Sequence, residues 1–266
     1  MLTVGLTRAG AILGRIPLPT SLRPLVWGTY ARAYGAHLEE AAAPVESYRT
    51  FQDFFTRRLQ DNARPIDAAA DVWTSPVDCL WLSHVRADAD AVYPVKGNAH
   101  SLRELLADSA LAEQMHGGWV STFYLRPGDY HRIHAPCDMR LTSVRMVPGT
   151  LFPVNAHGQR VPGLFARNER WIFEAETAEG PLAMLWVGAM MVGSVAGSHP
   201  ALLDLPRAPG RRSLDLRVAR GEELGMFRFG STVILVGTAV RRPALELPAE
   251  IRMGRPALLL AERTDP

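Results

Sequence analysis

Three local clusters in the 266-residue sequence hold side chains able to do chemistry. Ser75-Pro76-Val77-Asp78 places a carboxylate in a proline-containing turn after an apolar run, and taken alone that is the pattern of a turn or cap residue. Tyr130-His131-Arg132-Ile133-His134-Ala135-Pro136 follows the turn pair Pro127-Gly128 and supplies two imidazoles three positions apart. With Asp138 they could ligate a metal, although on a strand they would face opposite sides of the sheet. A histidine acting as base or acid needs no third ligand. The third cluster, Gly225-Met226-Phe227-Arg228-Phe229-Gly230-Ser231-Thr232-Val233-Ile234, sets Gly-Ser-Thr before a strongly β-forming run, most simply a turn into a strand. No G-x-S-x-G elbow is present, which disfavours a standard α/β-hydrolase. Together the clusters supply Asp, His and Ser in a chain order open to a nucleophile–base–orienter triad, since such triads occur in unrelated orders. Spacing alone does not bring them together.

The elements that must position these residues change in texture along the chain. Leu2, Leu6, Ala9, Leu13 and Ile16 fall on one helical stripe, with Arg8 and Arg15 toward the other side, and Pro17 and Pro19 end it. A second segment, Ser21 to Gly35, carries Trp27, Tyr30 and Tyr34 beside Arg23 and Arg32. Aromatics with arginines suit a membrane interface; packing of both helices on their own domain is the alternative. Tyr48, Phe51, Phe54, Phe55 and Leu59 predict a helix over Ser47 to Leu59, stopped by Arg64-Pro65-Ile66. Beyond Val72 come β-rich runs at Val72 to Val85, Trp119 to Leu125, Met139 to Val147, Trp171 to Ala175, Leu182 to Met191 and Ser231 to Val240. Ser101 to Met115 is the helical exception, through Leu102, Leu105, Leu106 and Leu111. Pro181 to Ser198 has no charged residue and approaches the length of a bilayer span, but Gly188, Gly193 and Gly197 with Val187, Val192 and Val195 predict two short buried strands instead. Pro200 to Arg212 reads as a mobile loop, and no repeat of fixed period is found. The expected fold is α+β: a mainly antiparallel β core with N-terminal amphipathic helices, residues 1–71 forming a helical membrane-association region and 72–266 a β-rich catalytic domain.

Composition narrows the function classes. Hydrophobic residues at 47% and charged residues at 21% describe a chain that folds around a core, not a disordered or multi-spanning one. The net charge is +2 without basic runs, which argues against nucleic acid as a partner. Lys96 is the sole lysine, so a pyridoxal-phosphate enzyme would have to build its Schiff base there. Cys79 and Cys137 are too few for a disulfide scaffold and lack zinc-type spacing, consistent with a reducing cytosolic setting. Arg8, Arg15, Arg23 and Arg32 interrupt residues 1–35, so no signal-peptide pattern is expected there.

The motifs taken in order resemble the phosphatidylserine decarboxylase proenzymes, the bacterial pyruvoyl-dependent family. The likeness runs from Tyr48-Arg49-Thr50-Phe51 with Phe54-Phe55 and Arg64-Pro65-Ile66, through Ser75-Pro76-Val77-Asp78, Lys96-Gly97 and Tyr130-His131-Arg132-Ile133-His134. It continues in Pro148-Gly149-Thr150-Leu151-Phe152-Pro153-Val154-Asn155, Leu164-Phe165-Ala166-Arg167-Asn168-Glu169-Arg170 and Gly188-Ala189-Met190-Met191-Val192-Gly193-Ser194, and closes with Gly221-Glu222-Glu223-Leu224-Gly225 and Phe229-Gly230-Ser231-Thr232-Val233-Ile234. Any one of these is weak; the ordered set is very specific.

This resemblance implies that Asp78 orients and stabilises His134, that His134 deprotonates Ser231, and that Ser231 attacks the carbonyl of Gly230. Self-cleavage between residues 230 and 231 would leave chains 1–230 and 231–266, with a covalent pyruvoyl group made from Ser231 that captures the substrate amine as a Schiff base. The implied reaction converts phosphatidylserine to phosphatidylethanolamine and carbon dioxide, with His131 as proton donor or carboxylate-pocket residue and no metal. The implied partners are phosphatidylserine, an anionic membrane surface and the other cleavage product in a heterodimer, further dimerisation being open. The implied location is peripheral, on the cytoplasmic side of the cell membrane. The family commonly has glycine where this chain has Cys79 and Met139, which implies a locally different turn or one that never needed positive φ. Two rival readings are a non-catalytic lipid-binding homologue and a metal-dependent hydrolase using His131, His134 and Asp138.

Overall fold

The computed structural model describes residues 14–87, 92–95, 98–154, 161–189, 195–228 and 231–260. The stripe from Leu2 to Leu13, Lys96 and Gly230 lie outside the described residues. The strands are β1 Val72–Thr74, β2 Cys79–Arg86, β3 Val92–Val95, β4 Asn98–His100, β5 Trp119–Leu125, β6 Arg132–His134, β7 Met139–Val147 and β8 Arg170–Thr177. The remainder are β9 Gly180–Val187, β10 Val195–Gly197, β11 Gly210–Val218, β12 Glu223–Phe227, β13 Ser231–Gly237, β14 Arg241–Pro243, β15 Ala249–Ile251 and β16 Pro256–Leu260. With a few helices beside them, they make the α+β fold expected from the sequence.

An eight-stranded antiparallel sheet in the order β11-β7-β8-β9-β13-β5-β2-β15 is the centre of the molecule. Its middle strand, β13, is apolar at successive positions because both faces of the sheet are covered there. Val233 and Leu235 join a core with Trp81, Phe123 and Trp186, whereas Ile234 and Val236 join a second core closed by the helices Leu102–Leu106, Ser109–Gln114 and Leu164–Arg167. Each such side chain removed from water contributes about 1.5–3 kcal/mol, so β13 is held firmly at both faces. Two smaller antiparallel sheets, β1-β16-β14 and β10-β12-β6, flank it.

Several elements differ from the sequence expectation. The helix expected over Ser47 to Leu59 is confined to Phe51–Phe55, because Thr50 and Asp53 form a reciprocal capping box that starts it and Thr56 leaves helical geometry. The helix expected over Ser101 to Met115 is two helices, broken where Ala107 takes φ +50° and Asp108 caps the next one by accepting from the amides of Ala110 and Leu111. Pro200 to Arg212 is not all loop: β11 begins at Gly210, and Leu214, Leu216 and Val218 turn inward between outward-facing Ser213, Asp215 and Arg217. Pro181 to Ser198 holds one long strand, β9, and the short β10, with residues 190–194 outside the described set.

The helix Arg23–Tyr34 ends at Gly35, whose φ of +71° suits glycine. Two of its three aromatics, Trp27 and Tyr30, point inward. Trp27 stacks on Phe54 with ring centroids 5.1 Å apart and donates to the Tyr48 carbonyl, while the Tyr30 hydroxyl donates to the Pro127 carbonyl. Trp27 and Tyr30 therefore pack on the protein, while Tyr34, Leu25 and Val26, with Leu22 at the N-cap, are exposed.

A correspondence invisible to a search for fixed repeats links β1–β2 to β6–β7. Each pair is joined by a turn of the form Pro-X-Asp, Pro76 to Asp78 in one and Pro136 to Asp138 in the other. The two turns bond reciprocally: the Thr74 amide donates to the Pro136 carbonyl (2.8 Å) and the His134 amide to the Pro76 carbonyl (2.9 Å). Each aspartate also accepts from a backbone amide just before a positive-φ glycine, Asp78 from Met253 before Gly254 and Asp138 from Arg220 before Gly221, both at 2.8 Å. His134 thus occupies in one copy the place that Thr74 holds in the other.

Candidate active site

His134 ends β6, and its position is set from three sides. The backbone pairs with β12, the amide bonds Pro76, and the ring is clamped at both nitrogens. Nδ1 lies 2.8 Å from the Gly221 carbonyl; a carbonyl only accepts, so Nδ1 carries the proton and Nε2 keeps its lone pair. The Tyr130 hydroxyl, held protonated by burial, donates to Nε2 at 3.2 Å. Burial lowers the pKa of His134, opposed by the Gly221 bond and by the negative charges of Glu223 and Asp78. The result is a neutral imidazole in the tautomer a general base requires. Gly221 holds φ +82°, and a Cβ there would come within 2.7 Å of Ile66, so only glycine delivers this carbonyl.

Asp78 is buried, yet it makes no hydrogen bond to His134. Its carboxylate takes Arg64 Nε and Nη2 and the Met253 amide, at 2.5–3.0 Å. Arg64 is shared with Glu40, which also holds Arg252. The structure thus brings Asp78 beside His134 through the Pro76 carbonyl and through its charge, while Gly221 and Tyr130 set the ring orientation.

Ser231 opens β13 opposite Leu125 and is fully buried; its Oγ has no hydrogen-bond partner among the described residues, and neither does Thr232 Oγ1. His131 is also fully buried. Its Nδ1 donates to the Asp129 carbonyl at 2.8 Å, its ring lies 3.8 Å from that of Phe55, and its Nε2 has no partner. Desolvation pushes its pKa down to about 3. The His131 carbonyl accepts from the Phe227 amide, so this histidine is fastened to the segment that leads into Ser231. A buried hydroxyl and a buried ring nitrogen without partners each cost the fold free energy.

Asp138 stands at the other turn, exposed and bonded to the Arg220 amide, apart from both histidines. Among the described residues no group of three or more His, Cys, Asp or Glu side chains converges as a metal site. Cys79 and Met139 are the first residues of β2 and β7, buried and not at positive φ, so neither turn uses the backbone freedom that glycine would give. Arg64, Tyr130 and Gly221 are the neighbours that the triad pattern misses. Arg64 stood in view only as a helix stop, Tyr130 as the flank of the histidine motif, and the Gly221 carbonyl has no side-chain signal at all.

A sheltered hydroxyl at the head of a central strand, and neutral imidazoles at and just before β6 of a flanking sheet, are the reactive groups that this α+β fold buries. The sequence matches the family model for phosphatidylserine decarboxylase over residues 51–258. The chain belongs to the phosphatidylserine decarboxylase family. A phosphatidylserine decarboxylase proenzyme of Methylobacillus flagellatus is 42% identical over 215 residues, covering 78% of this chain and 76% of that protein. Proteins of the same description from Albidiferax ferrireducens and an Anaeromyxobacter species are each 40% identical, covering 92% and 94% of this chain and 89% and 92% of their own lengths.

Proposed function

We propose that this chain cuts itself between Gly230 and Ser231 and then converts phosphatidylserine to phosphatidylethanolamine and carbon dioxide. The observation that carries the reading is that a member of this family holds both an unpartnered buried Ser231 hydroxyl and a histidine kept neutral in the base tautomer. In the first stage His134 Nε2 takes the Ser231 proton and the oxygen attacks the Gly230 carbonyl carbon, turning the peptide bond into an ester. The nitrogen of residue 231 leaves that carbonyl and becomes a free amine. Loss of the α proton then expels the Gly230 carboxylate, leaving a dehydroalanine that water converts to a ketone with release of ammonia. Asp78 acts on this sequence by its charge, which favours the imidazolium that forms at His134.

The pyruvoyl group left at residue 231 supplies an electron sink for the electrons released with carbon dioxide. In this reading His131, whose Nδ1 donates to the Asp129 carbonyl, uses its neutral Nε2 to accept a proton and pass it to the carbon that loses the carboxylate. Intact-mass measurement of the purified protein should give two chains, 1–230 and 231–266, with the second lacking its amine; a single chain of 29.2 kDa would sink the self-cleavage claim.

No described helix is long and apolar enough to cross a membrane. The membrane reading rests on the outward face of the Arg23–Tyr34 helix, where Leu22, Leu25 and Val26 are exposed close to Arg23. They suit a helix lying on an anionic membrane surface, on the cytoplasmic side. Leu25→Asp should weaken sedimentation with phosphatidylglycerol-containing liposomes severalfold while leaving cleavage complete; unchanged sedimentation would remove this face from a membrane role.

A further inference from the structure

A cleft of about 460 Å³ lies against the strand β10, on the same three-stranded sheet whose other edge carries His134. Three arginines line it: Arg15 from the N-terminal segment, Arg207 from the segment before β11, and Arg228 from the connection between β12 and β13. Neither Arg207 nor Arg228 has a hydrogen-bond or ion-pair partner among the described residues, and Arg15 reaches only Gln52 Oε1, a neutral acceptor at 3.4 Å. Partial burial of Arg228, and then the like charges of Arg15 and Arg207, depress its pKa. Glu169 is the single carboxylate lining the cleft, and burial raises its pKa, so the cleft holds an uncompensated excess of positive charge.

Apolar side chains make up part of the wall. Trp171 and Leu205 are buried there, and the Trp171 indole N–H donates to the Pro206 carbonyl at 2.8 Å, pinning the segment that carries Arg207. Leu203 stands 67% exposed beside them. Convergent guanidinium groups next to exposed apolar surface match an amphiphile with an anionic oxygen group, since guanidinium donors suit the paired oxygens of a phosphodiester. The distance to the reacting group also fits. Arg228 is three residues before Ser231, and three residues of chain span at most about 10 Å.

We propose that Arg15, Arg207 and Arg228 form the subsite that takes the phosphodiester of the glycerophospholipid substrate while its amine is at residue 231. This rests on the decarboxylase reading. The subsite holds the head group by its phosphate and leaves amine and carboxylate free to reach the interior. It also makes the enzyme prefer a phosphodiester-bearing substrate to free serine.

The test uses the self-cleaved protein and its Arg207→Ala, Arg207→Lys and Arg228→Ala variants, each first shown by mass to be cut. With dihexanoyl phosphatidylserine kept below its micelle concentration, KM should rise about ten- to a hundredfold in the alanine variants with kcat changed far less, and Arg207→Lys should recover part of the loss. Calorimetric binding of glycerophosphoserine should weaken in parallel. Unchanged KM and unchanged glycerophosphoserine binding in both alanine variants would overturn the proposal. A defect seen on vesicles but not with the monomeric lipid would overturn it too, assigning the arginines to the membrane surface. Wild-type protein that is cut but inactive would count against the decarboxylase reading instead, and the calorimetric arm would still decide whether the cleft binds a phosphodiester.

Discussion

In a Ser231→Ala variant the chain stays whole at 29.2 kDa, carbon dioxide release from phosphatidylserine is abolished, and the melting temperature does not fall. The first two outcomes follow from chemistry. A hydroxyl tied covalently to the peptide bond it attacks acts at an effective concentration on the order of 10⁵ M or more, which bulk water cannot replace. The same oxygen, leaving with the Gly230 carboxylate, creates the dehydroalanine that water turns into the ketone, so a variant lacking it has nothing to capture the substrate amine. The third outcome follows from packing. Ser231 Oγ is fully buried and unpartnered, and removing an unsatisfied buried hydroxyl is neutral or stabilising. Thr232→Val is the control, because Thr232 Oγ1 is equally buried and unpartnered on the next position of the same strand. That variant should cut and turn over as the wild type does. A cut Ser231→Ala chain, or residual turnover from it, would refute the role of residue 231; a collapse in melting temperature would mean that the loss of function is structural.

The contrast between Ser231 and its surroundings also explains what was readable before the structure. The sheet strands announced themselves because both-face burial writes an unbroken apolar run, as in β13, and Trp119 to Leu125 and Met139 to Val147 are observed with the expected ends. β11 escaped notice although Leu214, Leu216 and Val218 alternate cleanly, because Pro206, Pro209 and the paired arginines at 211 and 212 drew attention to loop character. The split at Ala107 was hidden because its cause lies elsewhere in the chain: Arg145 donates to the Leu106 carbonyl and to the Asp108 carboxylate. Asp78, His134 and Ser231 could be named from their motifs. What orients His134 could not, since one contributor is the backbone carbonyl of Gly221 and the charge that reaches Asp78 comes from Arg64, more than ten residues away in sequence. The paired turns were obscured for a similar reason. Their likeness resides in hydrogen bonds to Met253 and Arg220, while only proline and aspartate are common to both segments from Pro76 to Asp78 and from Pro136 to Asp138.

Those paired turns supply the sharpest separation of stability from chemistry. Asp78→Asn should slow self-cleavage roughly ten- to a hundredfold, because His134 loses a charge that favours its protonated form. It should also destabilise the fold by about 2–3 kcal/mol, since Arg64, with a side chain only 5% exposed, keeps just Glu40 as a charged partner. Asp138→Asn, the same change at the corresponding turn, should alter neither by a measurable amount: Asp138 is exposed, and an asparagine oxygen can still accept from the Arg220 amide. A slow Asp78→Asn alone would leave open whether the defect comes from lost charge or from a loosened turn. The double variant Asp78→Asn with Arg64→Met decides between them. Removing the stranded cation should restore much of the melting temperature, because replacing both members of a buried ion pair is far milder than removing one. Cleavage should remain slow, because the field at His134 is still missing. Recovery of both together would show that Asp78 serves the fold alone, and recovery of stability without cleavage would assign its charge to the chemistry at His134.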